Sequence, residues 1–127
     1  MYLLDTNALI YTLAMPEKIP DAAMDIIINT DNRLYVSICS LWEIVIKQSI
    51  GKLNLDKTVT DIVAECESED MGFLDIKPNH LSVLRSLPFI HRDPFDRLYI
   101  SQAIAEDMTI ITSDTIIPKY NVRTLWK

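Results

Sequence analysis

A chain of 127 residues, 49% hydrophobic with only two glycines and six prolines, has the length of one ordered globular domain with tight connections. Its net charge of −6 argues against a general nucleic-acid binder, which neutralises phosphates with Lys and Arg. It does not exclude an enzyme that meets phosphate through bound metal ions, and it suits a basic protein partner.

Tyr2, Leu3 and Leu4 form an apolar run suited to a strand covered on both faces. The run ends on Asp5, where an open α/β sheet delivers its chain to a crevice. Thr6 and Asn7 can cap a helix over residues 8–15. Pro16 and Pro20 bracket a connector to a second helix, residues 21–29, with Ala22, Ala23, Ile26 and Ile27 on one face. Residues 33–37 read as a short strand of β-branched and aromatic side chains. Residues 38–50 form a strong helix with Ile38, Leu41, Trp42, Val45 and Ile46 at helical spacing and Gly51 at its C-terminal cap. A helix over 58–69 and a weaker strand over 71–76 follow. Pro78 opens a helix through Arg85. The stretch 89–97 reads as an ordered loop feeding a helix over 98–106, although Asp93 followed by Pro94 fits an N-cap with proline at the first helical position. Residues 108–112 are a buried strand ending at Ser113 and Asp114, a helical turn covers 116–120, and the last strand is 122–126.

Strands alternate with helices, which predicts one α/β domain over residues 1–127, a parallel sheet with helices on both faces. No stretch approaches the roughly 18 apolar residues of a membrane span, and Asp5 interrupts the first apolar run too early for a signal peptide. Cys39 and Cys66 match no metal or redox spacing and read as buried free thiols. The expected location is the cytoplasm.

Four carboxylates fall where such a sheet gathers its loops. Asp5 and Asp114 end strands, and Glu43 lies in the first turns of a helix. Because strand C-termini and helix N-termini share one side of the sheet, these three share a rim. Asp96 lies in the first turn of the helix entering the fourth strand; that helix is expected to approach the rim from the opposite end, so packing must place Asp96. Clustered carboxylates repel by roughly a few kcal/mol per pair near a surface, and a hard divalent cation relieves that repulsion. Mg²⁺ or Mn²⁺ fits an all-oxygen set, and such ions activate water and stabilise the leaving oxygen in phosphodiester hydrolysis. His80 and His91 are not spaced as a catalytic pair, which argues against a metal-free ribonuclease.

Each acid also has a structural reading. Asp5 and Asp114 can simply terminate their strands and cap the next helix. Ser40 and Glu43 have capping-box spacing, and Glu43 can pair with Lys47 one turn on. His91 and Arg92 can contact phosphate or stay solvated. It is the joint placement that carries weight.

At these residues the chain strongly resembles the PIN-domain ribonucleases, especially the VapC-like toxins of toxin–antitoxin pairs. The resemblance runs from LDTN (residues 4–7) through SICSLWEIVIK (37–47) and GKL (51–53) to HRDPFDR (91–97), a stretch characteristic of one subgroup. It implies a three-layer α/β/α sandwich and Mg²⁺- or Mn²⁺-dependent RNA cleavage. It further implies inhibition by a cognate antitoxin protein, and frequent homodimerisation. Residue by residue, the family's metal-site acids fall on Asp5, Glu43, Asp96 and Asp114; Asp93 has no counterpart in the wider set.

On this reading Asp5, Asp96 and Asp114 ligate metal, and Glu43 binds a second ion or orients the water. Thr6 or Ser113 holds the carboxylates, and Arg92, Arg97 and Lys47 are candidates for phosphate contact. An aspartyl-phosphate phosphatase would need a second Asp where Asn7 stands, and a receiver domain fits poorly. A glycine-loop nucleotide site is excluded, since Gly51 and Gly72 are the only glycines. The non-enzymatic alternative is a PIN-like binding module for protein or RNA.

Overall fold

The computed structural model describes residues 1–127. β1 (Tyr2–Leu4) lies at the centre of a five-stranded sheet. It pairs with β2 (Leu34–Ser37) on one side and β4 (Thr109–Ile111) on the other, with Leu3 opposite Tyr35 and Ile110. β3 (Gly72–Leu74) lies outside β2, β5 (Thr124–Leu125) lies outside β4, and every pairing is parallel. The order β3-β2-β1-β4-β5 therefore reverses direction beside β1. That reversal opens the crevice in which α/β sheets place their sites.

Alternation along the strands splits the core into two layers. Leu4, Val36 and Ile111 join Leu9, Ala23, Ile44 and Ile62 on one face. Those residues come from α1 (Thr6–Ala14), α2 (Asp21–Ile28), α3 (Ile38–Ser49) and α4 (Val59–Ser68). Leu3 and Ile110 join Tyr99, Ile100 and Ala103 on the other face. This second layer is made by α5 (Pro78–Ser86) and α6 (Pro94–Glu106). The result is the parallel sheet with helices on both faces that the alternation of elements predicted, the three-layer α/β/α sandwich implied by the resemblance.

Element boundaries move where a side chain has an unforeseen partner. α1 begins at Thr6 because Asp5 is its N-cap, accepting from the Ala8 N–H. α3 is capped by Ser37, whose hydroxyl accepts from the Cys39 N–H at 3.0 Å. The capping box expected at Ser40 and Glu43 does not form. α3 closes as a Schellman motif: Gly51 at φ +71° donates to the Gln48 carbonyl, and Lys52 donates to the Lys47 carbonyl at 2.8 Å. α6 begins at Pro94, four residues before the expected start, because Asp93 caps it with both the Phe95 and Asp96 N–H groups.

The expected direction of α6 is also corrected. α5 and α6 run antiparallel, with His80 at the start of α5 against Glu106 at the end of α6, and Arg97 against the carbonyls that follow α5. α5 climbs to the rim and α6 descends from it to enter β4. Asp96 therefore sits on the rim by topology.

Candidate active site

Asp5 leaves the end of β1 almost wholly buried, 3% exposed. One carboxylate oxygen accepts from the Ala8 N–H at 2.7 Å, and the other accepts from the Thr112 hydroxyl at 2.5 Å. Burial pushes its pKa up to about 7, against the downward pull of those two bonds, and the nearby charges of Asp96 and Asp114 raise it further. Thr6, the next residue, donates to Glu43 Oε1 at 2.6 Å, and Lys47 donates to Glu43 Oε2 at 2.5 Å. That bond to Glu43 is the main reason the Lys47 ammonium titrates above its usual range.

Asp96 is held at both oxygens, Oδ1 by the Tyr99 hydroxyl and Oδ2 by His91 Nε2 at 3.0 Å. Burial raises its pKa above the ordinary carboxylate range, with contributions from Asp93 and Asp114. The Tyr99 phenol is pushed well up by burial and then by the charges of Asp5, Asp96 and Glu43, so those three acids gather around it. Asp114 follows β4. Its Oδ1 accepts from the Ile116 and Ile117 N–H groups at 2.6 and 3.2 Å and starts the 3₁₀ turn Ile117–Lys119. Its own N–H donates to Thr112 Oγ1 at 2.9 Å, so one threonine links Asp114 to Asp5.

The rim thus brings Asp5, Glu43, Asp96 and Asp114 together, and each also fills its structural role as a cap or pair. No three His, Cys, Asp or Glu side chains are arranged to hold a metal ion about one point, because each carboxylate turns toward a protein donor. The donor set still fits a hard divalent cation. It is all oxygen, and Asp5 is held at an unfavourable protonation by burial and by its neighbours' charges, which a cation would offset. Oδ2 of Asp114 takes no protein donor, and the fully buried Ser40 hydroxyl, one turn before Glu43, has no partner. A cavity of about 540 Å³ lies at the opposite end of the sheet among Leu13, Met24, Leu34 and Met71 and contains none of the four acids.

Several supporting side chains differ from expectation. Thr6 holds Glu43, but Thr112 holds Asp5, while Ser113 is exposed. Arg97 is buried, donating to the Leu87 and Pro88 carbonyls, so it is a clamp and not a phosphate contact. Arg92 is exposed. His91 contacts Asp96 and Tyr120 and is not solvated. Tyr99 and Tyr120 gave no signal beyond their aromatic character, since their hydroxyl partners lie on other turns or segments.

No curated protein matches this sequence. Among solved structures, the chain is similar to one in VapBC2 from Rickettsia felis bound to a DNA fragment from their promoter, with TM-score 0.73 and 19% identity, covering 99% of this chain and 98% of that one. It is also similar to a chain of VapBC-1 from nontypeable Haemophilus influenzae, with TM-score 0.69, 18% identity and coverage of 98% and 96%. For FitAcB from Neisseria gonorrhoeae the values are 0.65, 19%, 98% and 96%. At such identities the likeness is one of fold. The PIN domain family model matches residues 2–122, from the central strand through the turn that carries Asp114 to the edge of the last strand, and on that match the chain belongs to the PIN domain family.

Proposed function

We propose that this protein is a metal-dependent endoribonuclease, the toxin of a cytoplasmic toxin–antitoxin pair. The observation that carries the reading is the acidic rim: a buried Asp5 with its pKa pushed up to about 7, flanked by Asp96 and Asp114 and joined through Thr6 to Glu43. The likeness in fold to chains of VapBC complexes supports a protein partner. A net charge of −6 suits a basic antitoxin.

Asp5, Asp96 and Asp114 would hold Mg²⁺ or Mn²⁺, and Glu43 would hold a second ion or orient the attacking water. A bound divalent ion supplies the charge that activates water and stabilises the leaving oxygen of a phosphodiester. The chain's own residues set the stage for it. Thr112 and the Ala8 N–H fix the plane of the Asp5 carboxylate, and Thr6 and Lys47 fix Glu43. Such bonds keep ligands oriented before anything binds. Exposed Arg92, next in the chain to His91, would be a cation for phosphate.

The test is RNA cleavage by antitoxin-free protein with Mn²⁺, with EDTA, and by Asp5→Asn prepared identically, offering several RNA classes including transfer RNA. Cleavage that requires both metal and Asp5 is the expected result. Activity that persists in EDTA or in Asp5→Asn would remove the support for this site. Silence on every RNA, with no Mn²⁺ binding, would favour a binding module.

A further inference from the structure

The loop before α6 and the 3₁₀ turn after β4 meet around His91. Its Nδ1 lies 2.7 Å from the Tyr120 hydroxyl, and its Nε2 lies 3.0 Å from Asp96 Oδ2. The same Tyr120 oxygen accepts from the His91 backbone N–H at 3.1 Å and from Arg97 Nη1 at 3.2 Å. A phenol oxygen offers two lone pairs and one proton. With both lone pairs engaged by N–H donors, the phenol proton goes to Nδ1. The ring proton of His91 is then on Nε2, aimed at Asp96. Arg97 is itself fixed by the Leu87 and Pro88 carbonyls and lies 4.7 Å from the centre of the Phe89 ring. A directed chain of donors results: Arg97 to Tyr120, Tyr120 to His91, His91 to Asp96.

The far end of that chain is a carboxylate with one donor on each oxygen, since Tyr99 holds Oδ1. Two donors on opposite oxygens stop the group from rotating and leave one lone-pair direction free on each. Tyr99 belongs to α6 itself, so His91 is what ties Asp96 to other segments of the fold. A residue that merely stapled the loop to the 3₁₀ turn would need only its contacts with Tyr120.

We propose that His91 is a positioning residue, which Tyr120 holds in its Nε2–H tautomer so that it fixes the Asp96 carboxylate for a divalent cation on the rim. This rests on the reading of the rim as a metal-dependent nuclease site.

The experiment is calorimetric titration of Mn²⁺ alone into wild type, His91→Phe, His91→Gln and Tyr120→Phe. Melting curves accompany each titration, and ¹⁵N-histidine spectra at one pH report the tautomer. With His80 the only other histidine, the His91 signal is assigned by its loss in His91→Gln. His91→Phe should bind Mn²⁺ roughly 10–100-fold more weakly, while His91→Gln, whose amide reaches the place of Nε2, should recover to within about threefold. The wild-type ring should show the Nε2–H tautomer, and Tyr120→Phe, which removes the anchor at Nδ1, should weaken Mn²⁺ binding in the same direction as His91→Phe. Unchanged Mn²⁺ affinity in a folded His91→Phe overturns the proposal, as does an Nδ1–H tautomer in wild type or equal loss in the Phe and Gln variants. If His91→Phe does not fold, the Tyr120→Phe affinity decides: binding as tight as wild type overturns the proposal. Wild type that binds no Mn²⁺ overturns the site reading and this proposal together, whereas normal wild-type binding with unaffected variants overturns this proposal alone.

Discussion

Asp5 carries the sharpest conflict in the molecule: a capping carboxylate that is buried, accepts two hydrogen bonds, and still titrates near pH 7. Its folded pKa lies above the 3.8 of the unfolded chain, so between those values the folded state holds a proton that the unfolded state has lost. Stability from this group therefore falls as pH rises from about 4 to about 7, by an amount on the order of a few kcal/mol. Asn at this position keeps an oxygen for the Ala8 N–H and can donate to Thr112, and it never ionises. In EDTA, Asp5→Asn should match wild type near pH 4 and exceed it at pH 8, by urea denaturation at each pH. A variant less stable than wild type at pH 8 would show that the carboxylate is mainly a cap.

At the scale of elements, caps decide where helices begin, and they separate the acids that only build from those that also face the rim. Asp93 accepts from two N–H groups at the start of α6, so Asp93→Ala should destabilise by about 1 kcal/mol in chemical denaturation. On α3 the cap is Ser37, which also donates to Gln102 at 2.5 Å. Ser37→Ala should therefore be destabilising by about 1–2 kcal/mol, whereas Ser40→Ala, removing a buried hydroxyl with no partner, should be neutral or stabilising. The reverse order would mean that the spacing of Ser40 and Glu43 does govern this terminus. Such details were only half legible in the sequence. Asp93 followed by Pro94 announced its cap through local chemistry, and Gly51 announced the end of α3 in the same way. Ser37 looked like strand because its partners, the Cys39 N–H and Gln102, lie in the helix it starts and 65 residues on. Likewise Ser113 is the hydroxyl the sequence suggests beside the acids, and only the position of β4 beside β1 brings its neighbour Thr112 onto Asp5 instead.

At the scale of the whole molecule, the strand order locates the site. Parallel strands put every C-terminus on one edge, and the reversal beside β1 sets Asp5 and the Thr112–Asp114 segment side by side. Alternating strand and helix patterns were enough to anticipate that edge. The same logic covers Asp96, since a helix joined to β4 by two residues must end where that strand starts and so descend from the rim; the pairing of His80 with Glu106 then sets α5 antiparallel to it. The same arrangement makes metal binding a property of global stability. A fold with net charge −6 that gathers four carboxylates on one rim is stabilised by whatever cation binds the folded form alone. At one hundred times its dissociation constant, Mn²⁺ should add about 2.7 kcal/mol, or roughly 10 °C in Tm for a domain of this size. Mn²⁺ must also displace the proton that Asp5 holds below about pH 7, so binding should be weaker at pH 5.5 by on the order of thirtyfold. Thermal melts with a fixed Mn²⁺ concentration should therefore show a large shift at pH 8, a small one at pH 5.5, and little at either pH in Asp5→Asn. A shift that is the same at both pH values, or that survives in Asp5→Asn, would place the ion elsewhere on the acidic surface.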